Sequence, residues 1–136
     1  MTHLLENLEN TVRNIIITKA DGTIIECNDA WLKTCGYKRE EVINRTNSIL
    51  QGPLTESDKV REINAATRGG RGIYIDITNH KKDGMPFRNR LTITPHGEYF
   101  IAEVEDKGPS DYELLYRKRM VGLGRKRFPR REILAV

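Results

Sequence analysis

Cysteine and histidine are scarce in this chain of 136 residues. The two cysteines, Cys27 and Cys35, and the three histidines, His3, His80 and His96, are not spaced as metal ligands. No apolar run approaches the roughly 18 residues of a membrane-spanning helix. The first ten residues are acidic and lack the basic start of a signal peptide. We therefore expect a cytoplasmic protein with two packed thiols, no metal site and no membrane insertion.

Catalytic patterns are missing as well. No serine, histidine and acid form a recognisable set, and no pair of carboxylates suggests general acid–base chemistry. The glycine-rich residues 69–72 lack the lysine of a phosphate-binding loop. We predict no catalytic residues and no enzymatic activity.

Positive charge is concentrated at the end of the chain. Residues 107–136 hold nine lysines and arginines against three acids, which leaves residues 1–106 with a slight negative balance. A short helix is predicted at 111–116, and the glycines and proline that follow oppose a continuous helix. We predict a basic C-terminal extension or linker. Binding of nucleic acid or anionic lipid by this tail is the alternative, although Phe128 alone is no aromatic platform for bases.

The first half of the chain predicts a short helix, a hairpin and further short helices. Apolar residues at helical spacing indicate an amphipathic N-terminal helix over residues 1–12. Two β-branched runs around Asp21 and Gly22 predict a β-hairpin, after which Asn28 or Asp29 caps a helix that ends at Gly36. A further helical turn follows at residues 38–43.

A longer helix and three strands complete the predicted fold. Thr55 and Asp58 have the spacing of a capping box, and the helix after them ends at glycines 69 and 70. Alternating apolar residues then predict strands near residues 73–79, 87–93 and 99–104. The order predicts an α+β fold: a five-stranded antiparallel sheet with short helices packed over one face, plus N- and C-terminal flanking helices.

Two asparagines fall on the apolar side of this sheet. Asn79 shares strand parity with Ile75 and Ile77, and Asn89 shares parity with Leu91 and other apolar residues of its strand. If the two are cross-strand neighbours, the intervening loop has an odd number of residues centred on Gly84. Their amides either satisfy one another, the backbone or water, or bind a planar heterocycle held over the sheet.

Four separated stretches resemble the PAS domain superfamily, and within it the light-oxygen-voltage (LOV) group. They are TKADGTIIECNDAW at 18–31, CGYKREEV at 35–42, LQGPLT at 50–55 and NHKKDGMPFRNRLTITP at 79–95. Together they place a PAS/LOV-like domain at residues 13–106. The resemblance implies the five-stranded fold described above and a flavin-binding pocket over the sheet.

The resemblance implies a pocket whose ring-binding residues are retained. Asn79, Asn89 and Gln51 match positions that contact the flavin ring or its ribityl chain, and Thr46 replaces a binding asparagine. Asn47 stands where photoactive members have the cysteine that bonds covalently to the flavin after blue-light excitation. An amide cannot form that bond.

Other family positions are not retained. Ser48 and Asn64 stand where arginines hold the phosphate of FMN, and Val104 replaces the glutamine that responds to the flavin state. Lys59 or Arg61 on the long helix is a candidate substitute for those arginines. We therefore predict at most weak binding of FMN or riboflavin.

The predicted function is a sensory or protein-interaction PAS module of a signalling protein, without adduct chemistry. The N-terminal helix motivates the prediction that it associates as a homodimer or with an adjacent signalling domain. The alternative is a flavin-binding LOV-like photoreceptor domain that works without a cysteinyl adduct.

Overall fold

A computed structural model describes residues 13–108, which form a five-stranded antiparallel sheet with short helices packed over one face. The strands are β1 (Asn14–Thr18), β2 (Ile24–Cys27), β3 (Ile73–His80), β4 (Pro86–His96) and β5 (Tyr99–Asp106). The helices are α1 (Asp29–Cys35), α2 (Arg39–Val42) and α3 (Ser57–Arg68), with a 3₁₀ helix at Asn47–Leu50. The predicted α+β class is confirmed. The predicted flanking helices lie outside the described residues. The predicted basic extension also lies outside them, except for its first two residues, 107 and 108.

In the strand order β2-β1-β5-β4-β3, the first and last strands of the domain, β1 and β5, lie side by side in the interior of the sheet. β1 pairs with β5, so that Asn14 lies opposite Val104 and Thr18 opposite Phe100. β3 and β2 are therefore the two edge strands. Within residues 13–108, no helix is long and apolar enough to cross a membrane.

Asn28 fastens the first hairpin to helix α1. Its Oδ1 accepts hydrogen bonds from the backbone N–H of Trp31 and of Ile15, each at 3.1 Å, and its Nδ2 donates to the carbonyl of Arg13 at 2.6 Å. The first of these bonds is the predicted N-cap, which satisfies a helix N–H that has no partner inside the helix. Gly36 ends α1 with a left-handed φ of 85°.

The core lies between the helices and the inner face of the sheet. Trp31, Val42 and Phe87 are at most 1% exposed and belong to one cluster with the apolar residues of β4 and β5. Burial of side chains of this size stabilises a fold by about 1.5–3 kcal/mol each relative to exposure. This packing fixes the helices over one face and leaves space between α3 and the sheet.

The predicted capping box at Thr55 is wrong. The N-cap of α3 is Glu56, and the Thr55 hydroxyl instead accepts from the backbone N–H of Gly52 at 3.0 Å and donates to the carbonyl of Thr78 at 2.7 Å. Glu56 accepts from the Thr78 N–H at 2.8 Å. Both side chains therefore attach the chain before α3 to edge strand β3.

Candidate ligand-binding cavity

A cavity of about 260 Å³ lies between the sheet, helix α3 and the 3₁₀ helix. This is slightly below the roughly 300–1,000 Å³ of typical small-molecule sites, and so it favours one heterocyclic ring system over a whole dinucleotide. Its floor is apolar and is formed by the inward residues of the sheet, including Ile16, Ile77, Leu91, Ile93, Ala102 and Val104. Polar side chains from three other segments complete the walls.

Asn79 and Asn89 form a directed chain of amides at one side of this floor. Asn79 Nδ2 donates to the carbonyl of Leu50 at 3.2 Å, and Asn89 Nδ2 donates to Asn79 Oδ1 at 2.8 Å. Because the Leu50 carbonyl can only accept, the orientation of both amides is fixed. Asn89 Oδ1 is left at the end of the chain, buried and without a partner. The predicted inward position of both asparagines is confirmed, since both line the cavity.

The two asparagines are diagonal neighbours and do not lie directly opposite each other. Asn79 pairs with Phe87 and Ile77 pairs with Asn89, so the loop is centred on Asp83 and the predicted centre at Gly84 is wrong by one residue. The predicted odd number of loop residues is correct. Gly84, with a φ of 92°, ends a tight turn closed by hydrogen bonds from Gly84 N to Lys81 O and from Lys81 N to Met85 O. This is the three-residue hairpin loop that needs a left-handed residue last.

The 3₁₀ helix and the residues beside it supply a second wall. Thr46, Asn47 and Gln51 all line the cavity, so the five residues expected near the flavin ring surround one space together with Asn79 and Asn89. Asn47 Oδ1 is buried and lacks a hydrogen-bond partner, like Asn89 Oδ1. The Thr46 and Ser48 hydroxyl oxygens are 2.6 Å apart and hydrogen bonded to each other. The backbone holds this wall against β2, since Ile24 N donates to Arg45 O at 2.8 Å.

Charged side chains stand at the cavity wall where it meets solvent. Asn64 and Arg68, one turn apart on α3, both line the cavity, whereas Lys59 and Arg61 are not among its described lining residues. The sequence did not lead us to predict Arg68 as a site residue, although its spacing of four from Asn64 puts the two on one helix face. Asp21, in the β1–β2 turn, also lines the cavity, and hydrogen bonds from Thr23 hold the pKa of its carboxyl below the usual value.

Comparison with known proteins decides the family. The sequence profile of the PAS domain matches residues 13–106. The chain belongs to the PAS domain family. This PAS domain is 40% identical over 94 residues to a blue-light-activated histidine kinase of Rhizobium johnstonii, a match that covers 66% of the chain and 27% of the kinase. It is 36% identical over 91 residues to phototropin-2 of Oryza sativa subsp. japonica, covering 67% of the chain and 10% of phototropin-2. The chain thus spans about a quarter or less of these relatives.

Solved structures with the same fold include PAS and LOV domains. The LOV domain of the Erythrobacter litoralis EL346 blue-light-activated histidine kinase superposes with a TM-score of 0.69 at 27% identity, covering 71% of this PAS domain's chain and 97% of that chain. The PAS domain of the fruit-fly ELK potassium channel has a TM-score of 0.74 at 21% identity, covering 79% and 97%. The second similarity shows the fold alone.

Neither cysteine of this PAS domain lines the cavity. Cys27 and Cys35 are buried in the core cluster, where the Cys35 thiol donates to the carbonyl of Leu32 at 3.7 Å and Arg39 Nη1 approaches Cys27 Sγ at 3.7 Å. Among residues 13–108, the cavity lining contains no cysteine. The same residues contain no cluster of three or more acids, histidines and cysteines that could hold a metal ion.

His80 is buried beside the cavity wall without lining it. It is 2% exposed, and neither ring nitrogen has a hydrogen-bond partner. Burial lowers its pKa to about 4, although the Glu56 carboxylate and the Leu50 carbonyl favour the protonated ring. Gly52 lies against the ring, since a Cβ on this glycine would come within 2.5 Å of Cγ and Nδ1. The PAS domain therefore holds a neutral histidine under the segment that forms its second wall.

Proposed function

We propose that this chain is the sensory or protein-interaction module of a signalling protein. The observation that carries the proposal is the cavity over the sheet, which is lined by the hydrogen-bonded amides of Asn79 and Asn89, the second of which keeps a buried oxygen without a partner. A buried acceptor without a donor costs about 1–3 kcal/mol, and a ligand with a complementary N–H would remove that cost. The blue-light-activated kinases among the relatives support a sensory role.

We further propose that the domain is unable to form a cysteinyl-flavin adduct. Asn47 occupies the cavity wall at the position where the family resemblance expects the reactive thiol, and Cys27 and Cys35 pack in the core. Its signalling would then depend on noncovalent occupancy of the cavity or on association with a partner. We propose a second copy or an adjacent signalling domain as that partner, in the cytoplasm, and no catalytic activity of the domain itself.

A second candidate function is flavin binding without adduct chemistry. The amides of Asn79 and Asn89 beside the apolar floor suit the polar edge and the flat face of a flavin ring. The phosphate end fits less well, because Ser48 and Asn64 are uncharged and the cation at the wall, Arg68, shares it with the carboxylate of Asp21. The proposed ligand is therefore weakly bound FMN or riboflavin. A bound flavin would supply absorption of blue light and the capacity to accept electrons.

An absorption spectrum of the freshly purified full chain tests the second candidate. Absorbance near about 450 nm, the band of the flavin itself, supports it, and riboflavin or FMN is added where the protein is colourless. In Asn47→Cys, blue light should bleach that band reversibly if the pocket positions a ring beside residue 47. Asn89→Leu, which removes the buried acceptor, should weaken binding of added riboflavin. Protein that takes up neither flavin would contradict this candidate. The first proposal, a protein-interaction module, would then remain.

The oligomeric state tests the interaction candidate. Light scattering of the full chain should give a dimer mass at high concentration, and removal of residues 1–12 should lower it. A monomer that the truncation leaves unchanged would contradict self-association. A salt-dependent affinity for DNA that is lost on deletion of residues 117–136 would instead support nucleic-acid binding by the tail.

A further inference from the structure

The two edges of the sheet differ in how far their backbone groups are satisfied. At the edge formed by β2, Ile24 N donates to Arg45 O and Asn44 N donates to Ile24 O, each at 2.8 Å. Further along the same edge, Arg39 Nη1 donates to the carbonyl of Cys27 at 2.6 Å. Because these backbone groups are already bonded, the edge at β2 is closed to another strand.

The other edge, formed by β3, is closed in the same way at Thr78. The Thr78 N–H donates to the Glu56 carboxylate at 2.8 Å, and its carbonyl accepts from the Thr55 hydroxyl at 2.7 Å. These groups face away from β4, because the backbone of Arg88, opposite Thr78, bonds to residues 107 and 108 on its other side. Thr78 therefore marks which residues of β3 have outward backbone groups.

Tyr74 and Asp76 have the orientation of Thr78, because the backbone groups of a strand alternate between its two sides. No hydrogen bond from another segment of residues 13–108 reaches their outward N–H and C=O groups. Among these described residues, Tyr74 is also the one large apolar side chain that is exposed, at 66%. β3 contains no proline or lysine, and its pairing with β4 has no bulge, which are common protections of an edge. This part of β3 is therefore open to an extended strand.

We propose that two copies of this chain associate by antiparallel pairing of their β3 strands about a two-fold axis at Ile75. The pairing puts Tyr74 of each copy opposite Asp76 of the other and bonds all the outward groups of both residues. An axis at Asp76 would instead put two carboxylates directly opposite, which is unfavourable. An axis at Tyr74 would leave Asp76 opposite Gly72, which lies outside β3. The inference rests on the proposed function, which names a second copy as a partner, and it assigns the surface.

The side chains on the outer face of β3 and β4 suit this register. Arg90 Nε donates to Asp76 Oδ1 at 3.0 Å, so the charge of the carboxylate is balanced within each copy. The Arg90 guanidinium lies 6.0 Å from the ring centre of Tyr74 in its own chain. In the pair, the Tyr74 ring also lies beside the Asp76–Arg90 pair of the second copy, where it contacts another guanidinium. The surface is small, so we expect a weak dimer that forms at high concentration.

A backbone substitution in the full chain tests the pairing. Tyr74→Pro removes an N–H that the ladder with β4 does not use, so the sheet should remain intact. Tyr74→Val is the matched control, because it removes the same ring and keeps the N–H. Each Tyr74 N–H donates across the axis, so the dissociation constant of the dimer should be at least about tenfold higher in the proline variant than in the valine variant. Sedimentation equilibrium measures both constants, and equal constants would overturn the proposal.

Disulfide cross-linking tests the register without a proline. Chains with Tyr74→Cys and chains with Asp76→Cys are prepared separately and oxidised mildly, alone and mixed. Residues directly opposite in an antiparallel pair are about 5.5 Å apart at Cα, within disulfide range, whereas diagonal neighbours are about 7–8 Å apart. A covalent dimer in the mixture that is absent from either variant alone supports the proposal. A covalent dimer of the Asp76→Cys chain alone, or none in the mixture, overturns it. The parent chain, whose Cys27 and Cys35 are buried, is the control.

The outcomes separate this inference from the proposed function. A dimer that Tyr74→Pro and Tyr74→Val weaken equally, or leave at full strength, overturns the pairing of β3 and leaves a second copy as the partner through another surface. A parent chain that is monomeric at every concentration overturns this inference together with self-association. It leaves an adjacent signalling domain as the proposed partner.

Discussion

The contact between Gly52 and His80 offers a direct test of the packing behind the cavity wall. In Gly52→Ala the new Cβ would lie 2.5 Å from the Cγ and Nδ1 atoms of His80 and 2.7 Å from Cε1. Ordinary carbon contacts lie at about 3.5–4.0 Å, so the ring or the backbone must move by about 1 Å. His80 is 2% exposed, so protein atoms enclose its ring. Gly52 is not among the glycines with a positive φ, so the expected effect is steric.

Overpacking of this kind costs about 1–3 kcal/mol. For a domain of about 100 residues, each kcal/mol lowers the melting temperature by about 4–8 °C. We therefore expect Gly52→Ala to lower the free energy of unfolding by about 1–3 kcal/mol in urea titrations of the full chain, with an unchanged slope against denaturant.

A double-mutant cycle with His80→Ala identifies the cause. Without the imidazole ring, the three atoms closest to the new Cβ are removed. Alanine at position 52 also restricts the unfolded chain, which by itself stabilises by about 0.4–1 kcal/mol. The two substitutions should therefore be non-additive by more than about 1 kcal/mol. An additive cycle, or a loss below about 0.5 kcal/mol in Gly52→Ala alone, would refute the steric reasoning.

Two further predictions concern stability. Asn28→Ala should lower the free energy of unfolding by about 2–4 kcal/mol, because it removes the cap of α1 and leaves the Ile15 N–H without its partner; urea titration measures this, and a loss below about 1 kcal/mol would contradict it. His80 has a folded-state pKa of about 4 and an ordinary value of 6.5, so the unfolded chain binds the extra proton between these values. Stability should fall by about 1 kcal/mol per pH unit from about 6.5 towards 4. His80→Gln should remove this slope, and a variant as pH-sensitive as the parent would exclude His80 as its cause.

Strand parity was predictable from the sequence because it is a local property. Side chains alternate between the two faces of a strand, so the isoleucines of β3 alone place Asn79 on the inner face. The same argument holds for Asn89 beside Leu91. The register between β3 and β4 depends on the geometry of the loop that joins them. The Asp83-Gly84 pair is compatible with several turn types, so the sequence alone did not fix that register. The left-handed Gly84 closes a three-residue loop and moves the centre to Asp83, which makes the two asparagines diagonal neighbours.

Contacts between distant segments were harder to predict. Thr55 has the residue type and spacing of a helix cap, but its hydroxyl bonds to the edge strand at Thr78, a partner that no local pattern reveals. Lys59 and Arg61 were the predicted candidates, whereas Arg68 lines the cavity. Helix geometry held the needed signal, because Arg68 lies one turn beyond Asn64 on the same face. The carboxylate of Asp21 lines the same cavity as Arg68. Only the folded structure shows this, because the two residues are far apart in the sequence.

The second cavity wall combines residues that hold the fold with residues that do not. The carbonyl of Leu50 holds the amide chain of β3 and β4, and Gly52 packs on His80, so changes at either position disturb the edge of the sheet. No hydrogen bond within residues 13–108 ties the Asn47 oxygen to the fold. Removing this side chain therefore leaves the amide chain and the β3 contacts in place. For this reason a change in flavin affinity on substitution of Asn47 reports the chemistry of the cavity, whereas one on substitution of Gly52 reports its packing.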